Sequence, residues 1–274
     1  IVLTDTFQLA EDGDPMDAVF FPSNNARADH QKGLDIRVIV GNPPYSVGQA
    51  SQNDNNRNLA YPTLDESIAD TYARRSTATN KNSLYDSYIR AIRWASNRVQ
   101  DSPDGGIIGF VSNGGWIDGN TADGIRLTLP DEFHHIYIYN LRGNQRTSGE
   151  QSRREGGKVF GQGSRNTVAI TLLVKKPGPV PSSGAQIHYR DIGDYHDRDT
   201  KLATIKAATV SDLTWVDIEP NKAGDWINQR DSTYDRLVPL TGPDGIFHLA
   251  SNGLKTSRDA WAYNSSLTQL RSNV

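Results

Sequence analysis

Ile36-Arg37-Val38-Ile39-Val40-Gly41-Asn42-Pro43-Pro44-Tyr45 is the stretch on which the reading of this chain turns. Val38 to Val40 form an unbroken β-branched run, the pattern of a strand buried on both faces in a parallel sheet. Gly41 ends the run, so Asn42, Pro43, Pro44 and Tyr45 fall at the strand's carboxyl end, where open α/β sheets place their ligands. Two adjacent prolines fix φ and remove two backbone donors, which stiffens the turn and keeps it out of a helix. The turn then offers an amide side chain, rigid carbonyl acceptors and an aromatic ring. That set suits a planar base bearing an amino group. The side-chain oxygen of Asn42 and the carbonyl of Pro43 both accept from an exocyclic NH2, and Tyr45 stacks on the ring. A proline pair after a strand also serves as plain loop punctuation, and these four residues alone do not separate the two readings.

Outward from this stretch the chain alternates strand and helix. Ile1 to Phe7 reads as a short strand ending in a polar turn, where Asp5 either forms the turn or contacts a cofactor's adenine or ribose. Ser46 to Lys81 is a long polar segment, a substrate-covering loop or disorder, with a short helix expected from Leu64 to Tyr72. Ser83-Leu84-Tyr85-Asp86 has a capping-box pattern, and Leu84, Tyr88, Ile92, Ala95 and Val99 follow at helical spacing, which predicts a helix of about 16 residues. Tyr85, Tyr88 and Trp94 on it read as core and rim. Ile107 to Asn113 is a further buried strand, completing a βαβ unit with right-handed crossover as the default. Helix-like Ile125 to Phe133 leads to an alternating strand, Ile136 to Leu141, and after a basic, glycine-rich loop comes Thr167 to Val174. Two strands joined by a long loop at the end of a parallel sheet match an antiparallel final pair.

Composition limits the alternatives. With 274 residues, 36% hydrophobic and a mean hydropathy of -0.60, the chain reads as a soluble α/β protein of one large domain or one domain plus a smaller module. No apolar run reaches the roughly 18–20 residues of a membrane span, and no signal peptide is visible, which points to no membrane partner. The absence of cysteine excludes disulfides, thiolate catalysis and cysteine zinc sites, and fits a cytoplasmic location. His30, His134, His135, His188, His196 and His248 lack HxxxH spacing, so no metal site is expected. The net charge of -3 carries no global sign of nucleic-acid binding, yet Arg142 to Lys176 holds eight Lys/Arg against Glu150 and Glu155. Arg142, Arg146, Arg153, Arg154, Lys158 and Arg165 form a stripe that either tracks phosphates or is a solvated loop. Lys175 to Gly184, with three prolines and two glycines, is the clearest linker. The expected division is 1–176, a linker at 177–185, and a smaller module at 186–274 with Trp215, Trp226 and Trp261 anchoring its core. The chain opens in mid-strand and has its only methionine at Met16, so it reads as a piece of something longer.

Asn-Pro-Pro-Tyr after a hydrophobic strand resembles the catalytic motif of S-adenosylmethionine-dependent amino methyltransferases, chiefly those acting on N6 of adenine in DNA. Further stretches follow in a matching order: Asn82 to Arg90, Gly109 to Asn113, Asn140 to Asn144, Val159 to Arg165 and Gly253 to Trp261. Together they resemble the methyltransferase and following region of large single-chain Type ISP restriction–modification enzymes, often labelled helicases, in which nuclease, helicase-like motor, methyltransferase and target recognition share one polypeptide. The resemblance implies the C-terminal half of a Rossmann-like methyltransferase sheet followed by an α+β accessory or target-recognition region. It implies that Asn42, Pro43, Pro44 and Tyr45 hold a flipped-out adenine of double-stranded DNA, with Phe160 on the base's edge or other face. It also implies S-adenosylmethionine as methyl donor, and upstream nuclease, helicase-like and cofactor-binding regions in the same polypeptide.

One departure stands out. The glycine-rich cofactor loop of the family, an acidic residue then G-x-G between a strand and a helix, has no counterpart here. Phe160-Gly161-Gln162-Gly163 precedes a β run rather than a helix and reads as loop. No G-x-x-x-x-G-K-[ST] motor motif occurs either. The expectation is the substrate-binding half of an adenine-N6 DNA methyltransferase. The alternatives are a non-catalytic DNA-binding module of a helicase-like restriction enzyme, or a methyltransferase acting on RNA or protein glutamine.

Overall fold

The structure is a computed structural model that describes residues 2, 4–11, 21–45, 61–160, 165–231, 233, 236–249, 251 and 263–273. Six strands lie in one sheet among these residues: β1 (Val38–Gly41), β2 (Gly106–Asn113), β3 (His135–Arg142), β4 (Val168–Lys175), β5 (Gln186–Asp191) and β6 (Val216–Ile218). Their order is β1-β2-β4-β3-β5-β6. β1 and β2 are parallel, as are β3 and β5, while β4 inserts antiparallel between β2 and β3. This mixed α/β sheet contains the βαβ unit and the antiparallel β3–β4 pair that the sequence pattern predicts, but the pair is not final, since β5 and β6 extend the sheet beyond β3.

The connection from β1 to β2 carries α1's successors rather than α1 (Pro22–Lys32) itself: α2 (Pro62–Ile68), a π-type turn over Ala69–Ala73, and α3 (Ser87–Gln100). The expected helix near 64–72 is therefore α2 and its π turn. α3 starts later than the capping-box pattern suggests, because Asn82–Tyr85 close a 3-10 turn first and Asp86 is the N-cap, without a side-chain cap bond. Its apolar spacing nonetheless reads true: Leu84, Tyr88, Ile92, Ala95 and Val99 are all buried in one core with Ile108, Phe110, Ile136, Ile138 and Leu173 of the sheet. α4 (Asp123–Glu132) packs in the same layer through Ile125 and Leu129.

Three expectations change. β1 is not buried on both faces: Val38 and Val40 are 65% and 80% exposed. β1 has β2 as its one neighbour among the described residues, so this strand lies at an edge and one of its faces is uncovered. Residues 4–7 form a bend and turn rather than a strand end; Ile1 and Leu3 lie outside the described residues. The proline-rich stretch 177–185 joins β4 to β5 within one sheet, crossing β3. Contacts divide the chain into residues 1–229 and 230–274, so the expected boundary falls inside the first unit.

The reason is visible in the side chains. Trp226 is buried against Trp116, with ring centroids 5.5 Å apart. Buried Arg126 donates to the carbonyls of Gly224 (2.7 Å), Trp116 (2.7 Å) and Gly119 (2.9 Å), tying the segment after β6 to the main core. Trp215 packs on Tyr137 and Tyr139 of β3. These tryptophans therefore belong to the sheet's own core, and Trp261 lies outside the described residues. In the second unit, a bridge pairs Thr241 with Phe247, and α7 is the helix Leu267–Asn273 once α5 (Gly149–Glu155) and α6 (Arg198–Ala207) are counted in the first.

Candidate functional site

The carboxyl ends of β1, β2, β3 and β5 share one edge of the sheet, since these strands run in one direction. Asn42 to Tyr45 leave β1 at that edge. Asn42 and Pro44 are exposed, while Pro43 and Tyr45 are half-buried. The Tyr45 hydroxyl donates to the Val111 carbonyl of β2 at 3.2 Å, which fixes the ring beside the strand end. Burial pushes the Tyr45 pKa up to about 12, so the hydroxyl remains a donor well above neutral pH.

Phe160, 115 residues further along the sequence, faces this ring. The two centroids are 6.3 Å apart and the planes differ by 15°. Phe160 is 38% exposed, unusual for a phenylalanine beside a core. A flat ring between two others needs two van der Waals spacings, about 7 Å in all. The 6.3 Å between centroids is shorter than that, so the two rings would have to part to admit one. The structure thus brings Tyr45 and Phe160 together; Gly161 to Ser164 lie outside the described residues, as does the polar segment 46–60.

On the other side of Asn42 a cavity of about 400 Å³ is walled by Asp5, Phe7, Val40 to Pro44, Trp94 and Phe110. A Cβ at Gly41 would stand 3.1 Å from Phe110, so a larger residue there would press on the wall. Asp5 is held firmly: its carboxylate accepts from the Phe7 N–H at 3.0 Å and from the Tyr61 hydroxyl at 2.7 Å. Tyr61 stacks edge-on against Phe7 at 5.3 Å, and the Arg90 guanidinium sits 5.3 Å from its ring centroid. Arg90 in turn forms a two-pronged pair with Asp65, both contacts 2.7 Å. Burial, the bond to Asp5 and its charge raise the Tyr61 pKa above the usual phenol range. Two of a carboxylate's four lone-pair sites are used, and two remain.

Tyr61 was not legible as a site residue, since its partner is 56 positions away and no local pattern marks it. Glu11 escaped for the same reason: it is buried, and its carboxylate accepts from Thr63 N–H (2.9 Å) and Leu64 N–H (3.0 Å), capping α2 from a distant segment.

The basic stripe divides. Arg142, with φ of 57°, is bound to Asp191 at 2.7 Å and to Asp194, so its charge is spent on β5 and the turn after it. Arg146, Arg153, Arg154 and Arg165 are exposed and Lys158 is half-buried. Arg153 pairs with Glu150 at 3.2 Å on α5, and Arg165 donates to the Gln145 carbonyl at 3.3 Å. A second, polar cleft of about 770 Å³ opens at the same edge of the sheet, between the ends of β3 and β5. Five carboxylates and two guanidiniums line it, which disfavours phosphate there. No group of three metal-binding side chains occurs, and no helix is long and apolar enough to cross a membrane, among the described residues.

No protein-family model matches the chain, and no curated protein matches it. Solved structures do. The Type ISP restriction-modification enzyme LlaGI, a nuclease-deletion mutant in complex with a DNA substrate mimic, matches with a TM-score of 0.87 and 47% identity over 100% of this chain. The ATP-dependent Type ISP enzyme LlaBIII, bound to DNA, matches with a TM-score of 0.86 and 42% identity over 99% of the chain. The chain belongs with the Type ISP restriction–modification enzymes. A DrdV–DNA complex matches as well, with a TM-score of 0.83 and 34% identity over 100% of this chain. This Type ISP chain spans 22%, 18% and 27% of the length of those three proteins. The resemblance read from the Asn-Pro-Pro-Tyr turn and the stretches after it thus holds over the whole chain.

Proposed function

We propose that this Type ISP chain is the target-base-binding half of an adenine-N6 DNA methyltransferase, acting within a restriction–modification polypeptide. The observation that carries the reading is the pairing of Tyr45, on the same turn as exposed Asn42, with Phe160, the rings near-parallel and their centroids 6.3 Å apart. An adenine turned out of double-stranded DNA would enter between the two rings. Flipping costs a few kcal/mol, and base–aromatic stacking of ~1–3 kcal/mol per ring offsets much of it. The Asn42 side-chain oxygen and the Pro43 carbonyl accept from the two N–H bonds of the adenine amine. Those hydrogen bonds would draw the nitrogen toward tetrahedral geometry and aim its lone pair away from the ring, so attack requires no strong general base: the nitrogen takes the methyl group as the sulfur–methyl bond breaks to leave a neutral thioether, and the cationic nitrogen then loses one proton to water. The proline pair holds the Pro43 carbonyl and restricts the backbone at Asn42, which lowers the reorganisation in the barrier.

The cavity beside the turn fits part of S-adenosylmethionine. Phe7, Val40 and Phe110 offer apolar walls for an adenine ring, and Asp5, pre-oriented by Phe7 and Tyr61, offers acceptors for a ribose hydroxyl or an amino group. When bound, S-adenosylmethionine supplies the electrophilic methyl group. The remaining contacts to it would come from the upstream cofactor-binding region implied by the family resemblance, which pairs naturally with the uncovered edge at β1. Exposed Arg146, Arg153 and Arg165, with Lys158, would track DNA phosphates, whereas Arg154 faces the acidic cleft, and residues 186–274 would contribute to target recognition.

The test is methyl transfer from labelled S-adenosylmethionine to mixed-sequence DNA by a longer polypeptide that carries this chain and the upstream region. Label recovered as N6-methyladenine is the expected result. A protein that binds the cofactor yet leaves DNA unlabelled overturns the substrate assignment.

A further inference from the structure

Lys201 on α6 is 0% exposed, and a lysine that deeply buried needs a reason. Its Nζ donates to the carbonyls of Glu155 at 2.6 Å and Gly157 at 3.1 Å. The Glu155 carbonyl is the last of α5 and the Gly157 carbonyl lies just past its C-cap, a place where a helix leaves acceptors without intrahelical partners and favours a cation. The chain wraps the ammonium through two left-handed glycines, Gly156 at φ 68° and Gly157 at φ 85°. A Cβ on Gly156 would stand 1.9 Å from the His196 carbonyl, so the turn is seated against the segment that leads into α6. The Glu155 carboxylate accepts from the Asn144 N–H at 2.9 Å, closing the other side of the loop. Directly after this turn, Val159 is buried in a small apolar cluster with Tyr139, Leu141, Val168 and Ile192, its carbonyl accepting from Arg198 Nε at 3.3 Å, and Phe160 follows on the surface opposite Tyr45.

We infer that Lys201 is a positioning residue for the base clamp: by capping α5 and holding the Gly156–Gly157 turn, it sets the height and tilt of Phe160 over Tyr45. This rests on the base-clamp reading given above. The argument is one of distance along the chain. Only Lys158 and Val159 separate Gly157 from Phe160, and the two hydrogen bonds from Nζ, with buried Val159, leave that short segment little freedom to re-aim the ring. α6 packs through Leu202 and Ile205 against Val159, Tyr139 and Leu141. The staple therefore refers Phe160 to the same sheet that holds Tyr45. A hydrophobic residue in place of Lys201 would keep the packing but release the two carbonyls.

The experiment places 4-fluorophenylalanine at position 160 of the chain and records its 19F resonance. Tyr45→Ala first establishes the shift produced by the facing ring. Lys201→Met is expected to move the resonance toward that of the Tyr45→Ala protein, and Lys201→Arg, which keeps a cation and several donors, is expected to restore it at least in part. If Lys201→Met does not fold, Lys201→Gln, whose shorter side chain cannot span both carbonyls, is expected to move the resonance part of the way in the same direction. In the longer polypeptide, methyl transfer by Lys201→Met should fall roughly 10- to 100-fold in kcat, the scale of an ångström-level misplacement, with KM for DNA little changed. A 19F resonance unmoved by loss of Lys201 overturns the positioning role. If Phe160→Ala leaves methyl transfer intact, the clamp reading fails instead, and the two failures are told apart.

Discussion

Replacing Tyr45 separates the work of its ring from that of its hydroxyl. The hydroxyl makes one contact, to the Val111 carbonyl at 3.2 Å, long for an O–H···O bond. Its loss in Tyr45→Phe should cost about 0.5–1 kcal/mol, the lower part of the range for such bonds, or roughly two- to fivefold in kcat/KM. Tyr45→Ala also removes a stacking surface of ~1–3 kcal/mol, so the combined loss should reach roughly 10- to 1000-fold. Because one inserted base would touch both rings, Tyr45→Ala and Phe160→Ala should be non-additive, with a coupling of at least ~0.5 kcal/mol. The assay is a double-mutant cycle on labelled methyl transfer to DNA, with thermal unfolding confirming that each variant folds. Burial raises the Tyr45 pKa to about 12, so the Phe/Tyr ratio should stay flat from pH 7 to about pH 10. Equal losses in Tyr45→Phe and Tyr45→Ala, or strict additivity with Phe160→Ala, would refute a stacked base between the rings.

Asn42→Ala should abolish methyl transfer while leaving the melting temperature unchanged, since the side chain is exposed; measurable transfer in a purified variant would remove Asn42 from the chemistry. Arg93→Leu should destabilise the fold by about 3–5 kcal/mol at pH 7, because it strands Glu132, bound at 2.7 Å and only 16% exposed. Burial already raises the Glu132 pKa despite Arg93. Removing the arginine raises it further, so the penalty should shrink as the pH falls toward 5 and the carboxyl becomes neutral; urea melts giving one penalty at both pH values would contradict this. Combined Arg146→Ala, Arg153→Ala and Arg165→Ala should weaken DNA binding and reduce its salt dependence by about three counterions' worth of slope. Arg142→Ala should act mainly on stability, because its guanidinium is held by Asp191 and Asp194, and thermal unfolding beside salt titration distinguishes the two.

Much of the local structure is written in neighbouring residues. The spacing of Leu84, Tyr88, Ile92, Ala95 and Val99 defines a buried helical face whatever lies opposite, and the Asn42–Tyr45 turn follows from a glycine and two prolines after a β-branched run. These depend on covalent proximity, so periodicity and φ restriction suffice to find them, and the family resemblance stands on the same short stretches. Other features rest on partners far along the chain. A β-branched run has the same composition in an edge strand as in a central one, so the exposure of Val38 and Val40 is decided by what packs on β1, and among the described residues β2 is its one strand neighbour and one face is left open. The proline-rich stretch 177–185 reads as a linker because its composition is that of any surface connection; that β5 rejoins the sheet beside β3 is decided by burial of Ile187 and Trp226. Asp5 with Tyr61, Glu11 with the start of α2, Tyr45 with Phe160 and Lys201 with Glu155 and Gly157 each meet across dozens of residues. The sequence alone determined which side chains the turn presents, and the family resemblance named Phe160 as their companion; only tertiary packing decided that the two rings meet and what holds Phe160 there, because side-chain identity sets what a group can do and the closing of long loops sets what it can reach.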